Sequence, residues 1–149
     1  MSPDSSPPAV PPDFQPLEFR NDFNEATAQI YCRKGPDGTV FGFLAGPSHA
    51  NINRVIHGGM LMTFADTFMG QTVAEVAPRR CATVSFNVEF VTGIRPPAWI
   101  EGRAHIVRMT QSLVFMRGEV TSGGHMLMTA SGIWKMFRAR QVDTHAQSA

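Results

Sequence analysis

The stretch HGGMLMTFADTFMGQTVAEVAP, residues 57–78, decides the fold of this chain. From Gly58 to Ala77 it has few residues typical of strands, and Pro78 ends it cleanly, which predicts one long helix. Its apolar side chains are Met60, Leu61, Met62, Phe64, Ala65, Phe68, Met69, Val73, Val76 and Ala77. They lie all round the axis, and such a helix is normally buried on all sides. We therefore expect a sheet curled around it, with a second subunit as a further source of cover.

Strand patterns lie on both sides of this helix. The turn Gly35-Pro36-Asp37-Gly38 predicts a hairpin between two strands, and residues 46–56 read as a loop. After Pro78 apolar and polar residues alternate from 83 to 90, which is typical of a half-buried strand. The other strands are predicted at 27–34, 39–45, 99–109, 113–121 and 126–137. A hairpin, a long helix and a run of antiparallel strands make an α+β fold.

The two ends of the chain differ from this body. Residues 1–16 contain the six prolines Pro3, Pro7, Pro8, Pro11, Pro12 and Pro16. Because proline fixes φ and lacks an N–H, we expect an extended or disordered segment that is not part of the core. Residues 138–149 read as a loose polar tail. One domain is therefore predicted at residues 17–137.

The charge composition argues against nucleic acid and membrane partners. The formal net charge is +1 and only 17% of the 149 residues are charged, so there is no basic surface to attract nucleic acid. No run approaches the ~20 apolar residues of a membrane span, and no signal peptide is evident. We expect a cytoplasmic protein. Its low charge leaves apolar surface that self-association could cover.

Asp66 stands alone as an acid in the middle of the predicted helix. Between Val55 and Pro78 there is no Lys or Arg, and the only other acid is Glu75. Asp66 could belong to a weakly polar stripe that faces water. An isolated carboxylate in apolar surroundings is costly unless it is hydrogen-bonded, however, so a functional role is the other interpretation.

His57, Gly58 and Gly59 open the same helix. The first turn of a helix has free backbone N–H groups and the positive end of the dipole, so it can hold a carbonyl oxygen that gains charge. Two glycines permit a close approach of a ligand to the backbone. Gly58 and Asp66 are about 12 Å apart along one helix, too far to act on one carbon. If both act, Asp66 must come from a second subunit.

The pattern Asn51-x5-His57-Gly58-Gly59-x6-Asp66 resembles the signature of the phenylacetate-pathway (PaaI-like) branch of hotdog-fold thioesterases. The resemblance spans roughly residues 26–137 and matches the predicted order of elements. It implies a hotdog fold, with an antiparallel sheet wrapped around one central helix. It also implies hydrolysis of acyl-CoA or aryl-acyl-CoA thioesters without metal or cofactor, in a homotetramer built from dimers.

The same resemblance implies roles for single residues. Asp66 would be the nucleophile or the general base, and the N–H of Gly58 from the other subunit would polarise the thioester carbonyl. Asn51 would position water or the thioester, and His57 would orient the loop and Asn51. Gly59 and Ser85 would contact the substrate, with Ser85 near the position of a water-holding hydroxyl, and Arg108, Gln111 and Ser112 would be the candidates for the CoA phosphates. Ser85 would need a bulge if the apolar side of its strand faces the helix.

Two other functions remain open at this level. A hotdog hydratase or dehydratase typically has a His about five residues after its Asp, whereas position 71 is Gln. A non-catalytic acyl-CoA-binding protein is the other alternative, and Asp66 with the His57-Gly58-Gly59 turn argues against it. His49, His105 and His125 have no metal-ligand spacing, and no nucleophile elbow is present. Cys32 and Cys81 are expected to be free thiols, with a disulfide as the alternative.

Overall fold

The computed structural model describes residues 6–18 and 21–138, which form an α+β fold. Within these residues two helices and seven strands follow one another, with one turn of 3-10 helix at Pro47–His49. The elements are β1 (Gln15–Pro16), α1 (Asp22–Thr27), β2 (Tyr31–Gly35), β3 (Gly38–Ala45), α2 (Gly58–Val76), β4 (Cys81–Phe90), β5 (Ala98–Met109), β6 (Leu113–Ser122) and β7 (His125–Met136). No helix in this part of the chain is long and apolar enough to cross a membrane.

All strands belong to one antiparallel sheet in the order β1-β2-β3-β5-β6-β7-β4. Strand β4, the first after the helix, therefore lies at one edge and, among the described strands, pairs only with β7. Helix α2 packs on one face of the sheet, mainly against β4, β5 and β6. The edge position of β4 matters for the site because this strand also lies beside the helix.

Two glycines let the sheet approach α2 closely. A Cβ on Gly102 of β5 would stand 2.2 Å from the ring of Phe68, and one on Gly118 of β6 would stand 2.9 Å from the sulfur of Met69. Both Phe68 and Met69 are fully buried. Because Gly102 and Gly118 have no side chain, the sheet leaves the space that Phe68 and Met69 of the helix fill.

The other side of α2 is not covered by its own sheet. Leu61, Phe64, Ala65, Phe68, Met69 and Val73 are buried, whereas Met62, Thr63, Asp66, Thr67, Gly70 and Gln71 are only partly buried. The expectation of a helix covered on all sides is therefore wrong for the single chain. A one-layer sheet packs against one face of a helix only, so the second face stays open.

The strand predicted at 27–34 starts too early. Residues Asp22–Thr27 form α1, whose N-cap is Asn21, with its side-chain oxygen accepting from the N–H of Asn24 at 2.9 Å. The Thr27 hydroxyl donates to the carbonyl of Phe23, so Thr27 ends the helix and does not begin a strand. Strand β2 begins only at Tyr31.

The proline-rich segment contributes to the core at its end, which corrects the expectation for residues 1–16. Phe14 is only 4% exposed and meets the ring of Trp99 edge-on at 5.0 Å. Asp13 accepts a hydrogen bond from Arg33 at 2.8 Å, and β1 pairs with β2. Burial of an aromatic side chain is strongly stabilising, so Phe14 attaches the end of this segment to the core. Residues 1–5 of the segment, and residues 139–149 of the expected tail, lie outside the described residues.

Candidate active site

Asp66 lies half-buried on the open side of α2 and is held by a hydroxyl from β4. The Thr83 hydroxyl donates to Asp66 Oδ1 at 2.6 Å. The second carboxylate oxygen has no hydrogen bond within the described ranges. A carboxylate with one oxygen fixed and the other free can accept a proton or attack a carbon in a defined direction. This arrangement favours the functional interpretation of Asp66 over a solvated stripe.

A bulge in β4 brings Thr83 to the helix. Thr83 pairs with Trp134 and Ser85 pairs with Ile133, so the register shifts between them at Val84. Trp134 is buried on the helix side of β7, and Thr83 therefore faces α2. Without the bulge, simple alternation would put Thr83 and Ser85 on the same face.

Ser85, predicted as a substrate contact, does not lie beside Asp66. It occupies the face of the sheet away from α2, with neighbours such as Phe115 and Ile133, and its hydroxyl accepts from Asn87. The bulge that Ser85 would have needed is present, but it brings Thr83 to Asp66 instead. The Thr83 hydroxyl was not predicted from the sequence. It could have been suspected, because with a bulge between Thr83 and Ser85 only one of these two residues can lie on the same face as Phe86.

A groove of about 640 Å³ surrounds Asp66. Its walls come from α1 and the open face of α2, and its floor from the start of β4 and from β7. The lining mixes aromatic with uncharged polar side chains, among them Phe23, Asn24, Gln71, Phe86 and Trp134. Such a mixture suits a small organic group with a few polar positions.

The turn His57-Gly58-Gly59 caps α2. His57 is the N-cap residue, and its Nδ1 accepts the N–H of Gly59 at 2.8 Å. The N–H of Gly58 has no partner in the described part of the chain. Of the two glycine N–H groups, only that of Gly58 is thus available to a ligand, at the positive end of the helix dipole. Gly59 can let a ligand come close to the backbone, but its N–H is already bonded to His57.

Asn51 folds the loop that precedes this turn. Its side-chain oxygen accepts from the N–H groups of Asn53 at 2.9 Å and Val55 at 3.3 Å. The side chain of His57 makes no hydrogen bond to it, so the expected orientation of Asn51 by His57 is not seen. The backbone N–H of His57 instead donates to the carbonyl of His49, two residues before Asn51, at 2.8 Å.

Within one chain the two halves of the predicted site are separate. Asp66 lies two turns into α2, and the groove around it contains neither Asn51 nor the His57-Gly58-Gly59 turn. The ring of Phe90, near the end of β4, lies against Gly58, whereas Asp66 meets Thr83 near its start. A single chain does not bring the candidate oxyanion donor to the carboxylate.

Cys81 lines the groove close to Asp66 but has the wrong protonation state for a nucleophile. Burial, with a smaller contribution from the charge of Asp66, raises the pKa of its thiol. The thiol is therefore protonated at neutral pH. Both cysteines are free, as expected.

The other candidates lie away from the groove. Arg108 and Ser112 are exposed at the turn between β5 and β6, where Arg79 donates to the carbonyl of Gln111 at 2.9 Å. His49 is structural, with its ring bonded to the N–H of Gly46 and the carbonyl of Thr27. Within residues 6–18 and 21–138, no group of three or more His, Cys, Asp or Glu side chains could hold a metal ion.

The chain belongs to the thioesterase superfamily, whose family model matches residues 53–129. It is 26% identical over 130 residues to PA0474 of Pseudomonas aeruginosa, named as a candidate esterase, with 85% of this chain and 97% of that one covered. These matches confirm the predicted class of enzyme, a thioester hydrolase.

Solved structures agree with the predicted hotdog fold. BH2602 of Bacillus halodurans, crystallised with CoA, is 25% identical, with a TM-score of 0.67 over 73% of this chain and 74% of that one. A variant of the phenylacetic acid degradation protein PaaI from Thermus thermophilus is 21% identical, with a TM-score of 0.70 over 78% of this chain and 100% of that one. The resemblance to PaaI-like hotdog proteins is confirmed in the fold.

Proposed function

We propose that the protein hydrolyses acyl-CoA thioesters, with Asp66 as the catalytic carboxylate. The observation that carries the proposal is the contact between Thr83 and Asp66 in an open groove, which leaves one carboxylate oxygen free. The substrate class is supported by the CoA bound to BH2602, which has the same fold. The products are the free acid and CoA.

The groups present can supply each need of the reaction. In one route the free oxygen of Asp66 takes a proton from the attacking water and passes it to the CoA sulfur as the C–S bond breaks. In the other it attacks the thioester carbon and expels CoA as the thiolate, and water then hydrolyses the mixed anhydride to the free acid and restores Asp66. The N–H of Gly58 donates to the carbonyl oxygen as negative charge develops there. Thr83 holds the carboxylate in position, and the Nδ1 atom of His57 accepts the N–H of Gly59, which leaves the N–H of Gly58 for the substrate.

The site requires two chains, and the edge strand β4 suggests how they meet. β4 is paired on one side only, and Val84, Phe90 and the adjacent Val91 are exposed. An unpaired, partly apolar edge of ten residues is a natural place for a second copy to add. Low surface charge supports the same interpretation.

Antiparallel pairing of two β4 strands would assemble the site. Thr83 marks the position of Asp66 on this strand, and Phe90 marks that of Gly58. A two-fold axis through Asn87 sets Phe86 opposite Val88 and, because the extra residue Val84 is skipped, Thr83 of one subunit opposite Phe90 of the other. That pairing brings Asp66 of one chain next to Gly58 of its partner, twice per dimer. We propose this dimer as the smallest active unit and a dimer of dimers as the assembly.

The other predicted residues would contact the thioester group or the CoA part of the substrate. In this scheme the loop held by Asn51 faces the partner's carboxylate, and the amide nitrogen of Asn51 can reach water or the thioester. Arg108 and Ser112, with Arg79 beside them, are the candidates for the CoA phosphates. We assign the activity to one cytoplasmic domain, residues 17–137, extended to include Asp13 and Phe14.

The test compares two acids of the same helix. Asp66→Asn should lower kcat for every cleaved member of a CoA-thioester panel by a factor of roughly 100 or more. Glu75→Gln is the matched control, because Glu75 also accepts a hydrogen bond from a threonine, Thr39, but outside the groove. Equal activity of Asp66→Asn and Glu75→Gln would refute the role of Asp66, and an inactive wild type would refute the function.

A further inference from the structure

We infer that the indole N–H of Trp134 selects acyl groups that carry a hydrogen-bond-accepting oxygen. The inference rests on the proposed function, since it assigns the inner end of the Asp66 groove to the acyl group.

Trp134 is an almost fully buried side chain with an unused donor. The residue is 1% exposed, yet its indole N–H has no hydrogen-bond partner in the part of the chain that the structure describes. No buried side-chain nitrogen or oxygen there is both unpartnered and sealed from solvent, so this N–H retains contact with the groove that Trp134 lines. A buried donor of this kind is costly unless a ligand or water satisfies it.

The second tryptophan provides a comparison. The indole N–H of Trp99 donates to the carboxylate of Glu101 at 3.0 Å. Buried or half-buried tryptophans usually have such a partner. The chain therefore satisfies one indole internally and leaves the other directed at the groove.

Gly70 keeps the approach to this donor open. A Cβ placed on Gly70 would have the Nε1 atom of Trp134 as its nearest neighbour, at 3.8 Å. Gly70 follows Asp66 by one helical turn, so both positions lie on the same side of α2, about 5–6 Å apart. A substrate whose thioester carbon is at Asp66 can thus extend one turn along the helix and reach the indole N–H through the space at Gly70.

The surroundings of this end are polar but uncharged. The side-chain amides of Gln71 and Asn24 line the same groove and make no hydrogen bonds among the described residues. The floor is closed by the buried indole, which excludes the large and charged CoA nucleotide from this end. What fits is a short acyl group or an aromatic ring with an oxygen opposite its point of attachment.

The experiment uses two substrates of equal size, 4-hydroxyphenylacetyl-CoA and 4-methylphenylacetyl-CoA. They differ in one oxygen that replaces a methyl group. The ratio of their kcat/KM values should favour the hydroxyl compound in the wild type, and Trp134→Phe should reduce this preference by about tenfold, the value of one neutral hydrogen bond. Trp99→Phe is the matched control and should keep the wild-type ratio.

A second variant covers the case in which Trp134→Phe does not fold. Gly70→Ala keeps Trp134 and favours the helix, since alanine is the better helix former. Its methyl group fills the approach to the N–H, so the preference for the hydroxyl compound should again fall. Circular dichroism and the Tm of each variant establish that the fold is retained.

The two hypotheses fail in different ways. A wild type that cleaves both compounds without preference, or a preference that survives in both Trp134→Phe and Gly70→Ala, would overturn the role of Trp134. Cleavage of other thioesters but of neither compound would overturn it too. A protein that cleaves no CoA thioester would refute the proposed function itself.

Discussion

Replacement of Gly58 by proline should abolish most of the activity while leaving the helix intact. Proline has no N–H, so Gly58→Pro removes the single free donor at the start of α2. Proline is well tolerated at the first position of a helix, where its fixed φ fits. The preceding residue, His57, has φ −58° and ψ 130°, which is the conformation that a following proline requires. Few other backbone donors can be deleted with so little disturbance.

The magnitude follows from the role of the donor. Loss of one backbone or side-chain donor from an oxyanion site typically lowers kcat by about 10²–10³, or about 2.7–4 kcal/mol of transition-state stabilisation. A Cβ at position 58 also meets the ring of Phe90, 2.9 Å from Cζ. Gly58→Ala makes the same contact with Phe90, so comparison of the two variants separates this contact from the loss of the N–H.

Gly58→Ala is the matched control, since it adds the same Cβ and keeps the N–H. We expect kcat within a few-fold of the wild type for Gly58→Ala and a loss of at least a hundredfold for Gly58→Pro, measured by release of free CoA. If alanine and proline lower kcat equally, the effect comes from the contact with Phe90. If proline leaves kcat unchanged, the oxyanion role is refuted.

The remaining predictions concern the partner chain, Thr83, the core and the N-terminal segment. Inactive Asp66→Ala and Gly58→Pro chains, when unfolded together and refolded as a mixture, should recover about a quarter of wild-type activity, because half of the dimers are mixed and each has one intact site of two; no recovery would place the site within one chain. Thr83→Val should lower kcat by roughly ten- to a hundredfold through loss of a hydrogen bond to a charged group, whereas Thr83→Ser should retain most of it; equal kcat for both would contradict a positioning role. Gly102→Ala should lower the free energy of unfolding by about 1–3 kcal/mol in urea titrations, since its Cβ would overlap the Phe68 ring, and an unchanged midpoint would argue against that close packing. The hydrogen bond from Arg33 lowers the pKa of the Asp13 carboxyl in the folded protein. The pair therefore stabilises the fold at pH values above the ordinary aspartate pKa of about 3.9, and this stabilisation is lost as the pH falls through the lower pKa of the folded state. Asp13→Asn should remove that part of the acid dependence of Tm, and identical Tm–pH curves for wild type and variant would show that the pair does not hold the segment.

Local patterns in the sequence determined most of the secondary structure. Helix α2 runs between a glycine-rich start and Pro78, and both signals act through the backbone of a few neighbouring residues. The strand after it follows from the alternation at 83–90, and the hairpin before it from the turn Gly35-Pro36-Asp37-Gly38, and both signals are also local. The isolation of Asp66 in an apolar helix was visible without any structure, because it depends only on the types of the flanking residues.

The tertiary structure decided which groups meet. Thr83, not Ser85, faces Asp66 because a bulge at Val84 depends on the pairing of β4 with β7, residues more than forty positions away. Phe14 is buried because Trp99 lies beneath it, which the proline-rich segment around it does not reveal. One face of α2 stays open because a single layer of sheet covers only the other. Contacts between elements that are distant in the sequence leave no pattern in the residues around either partner. The groove with the free N–H of Trp134 is formed only by such contacts.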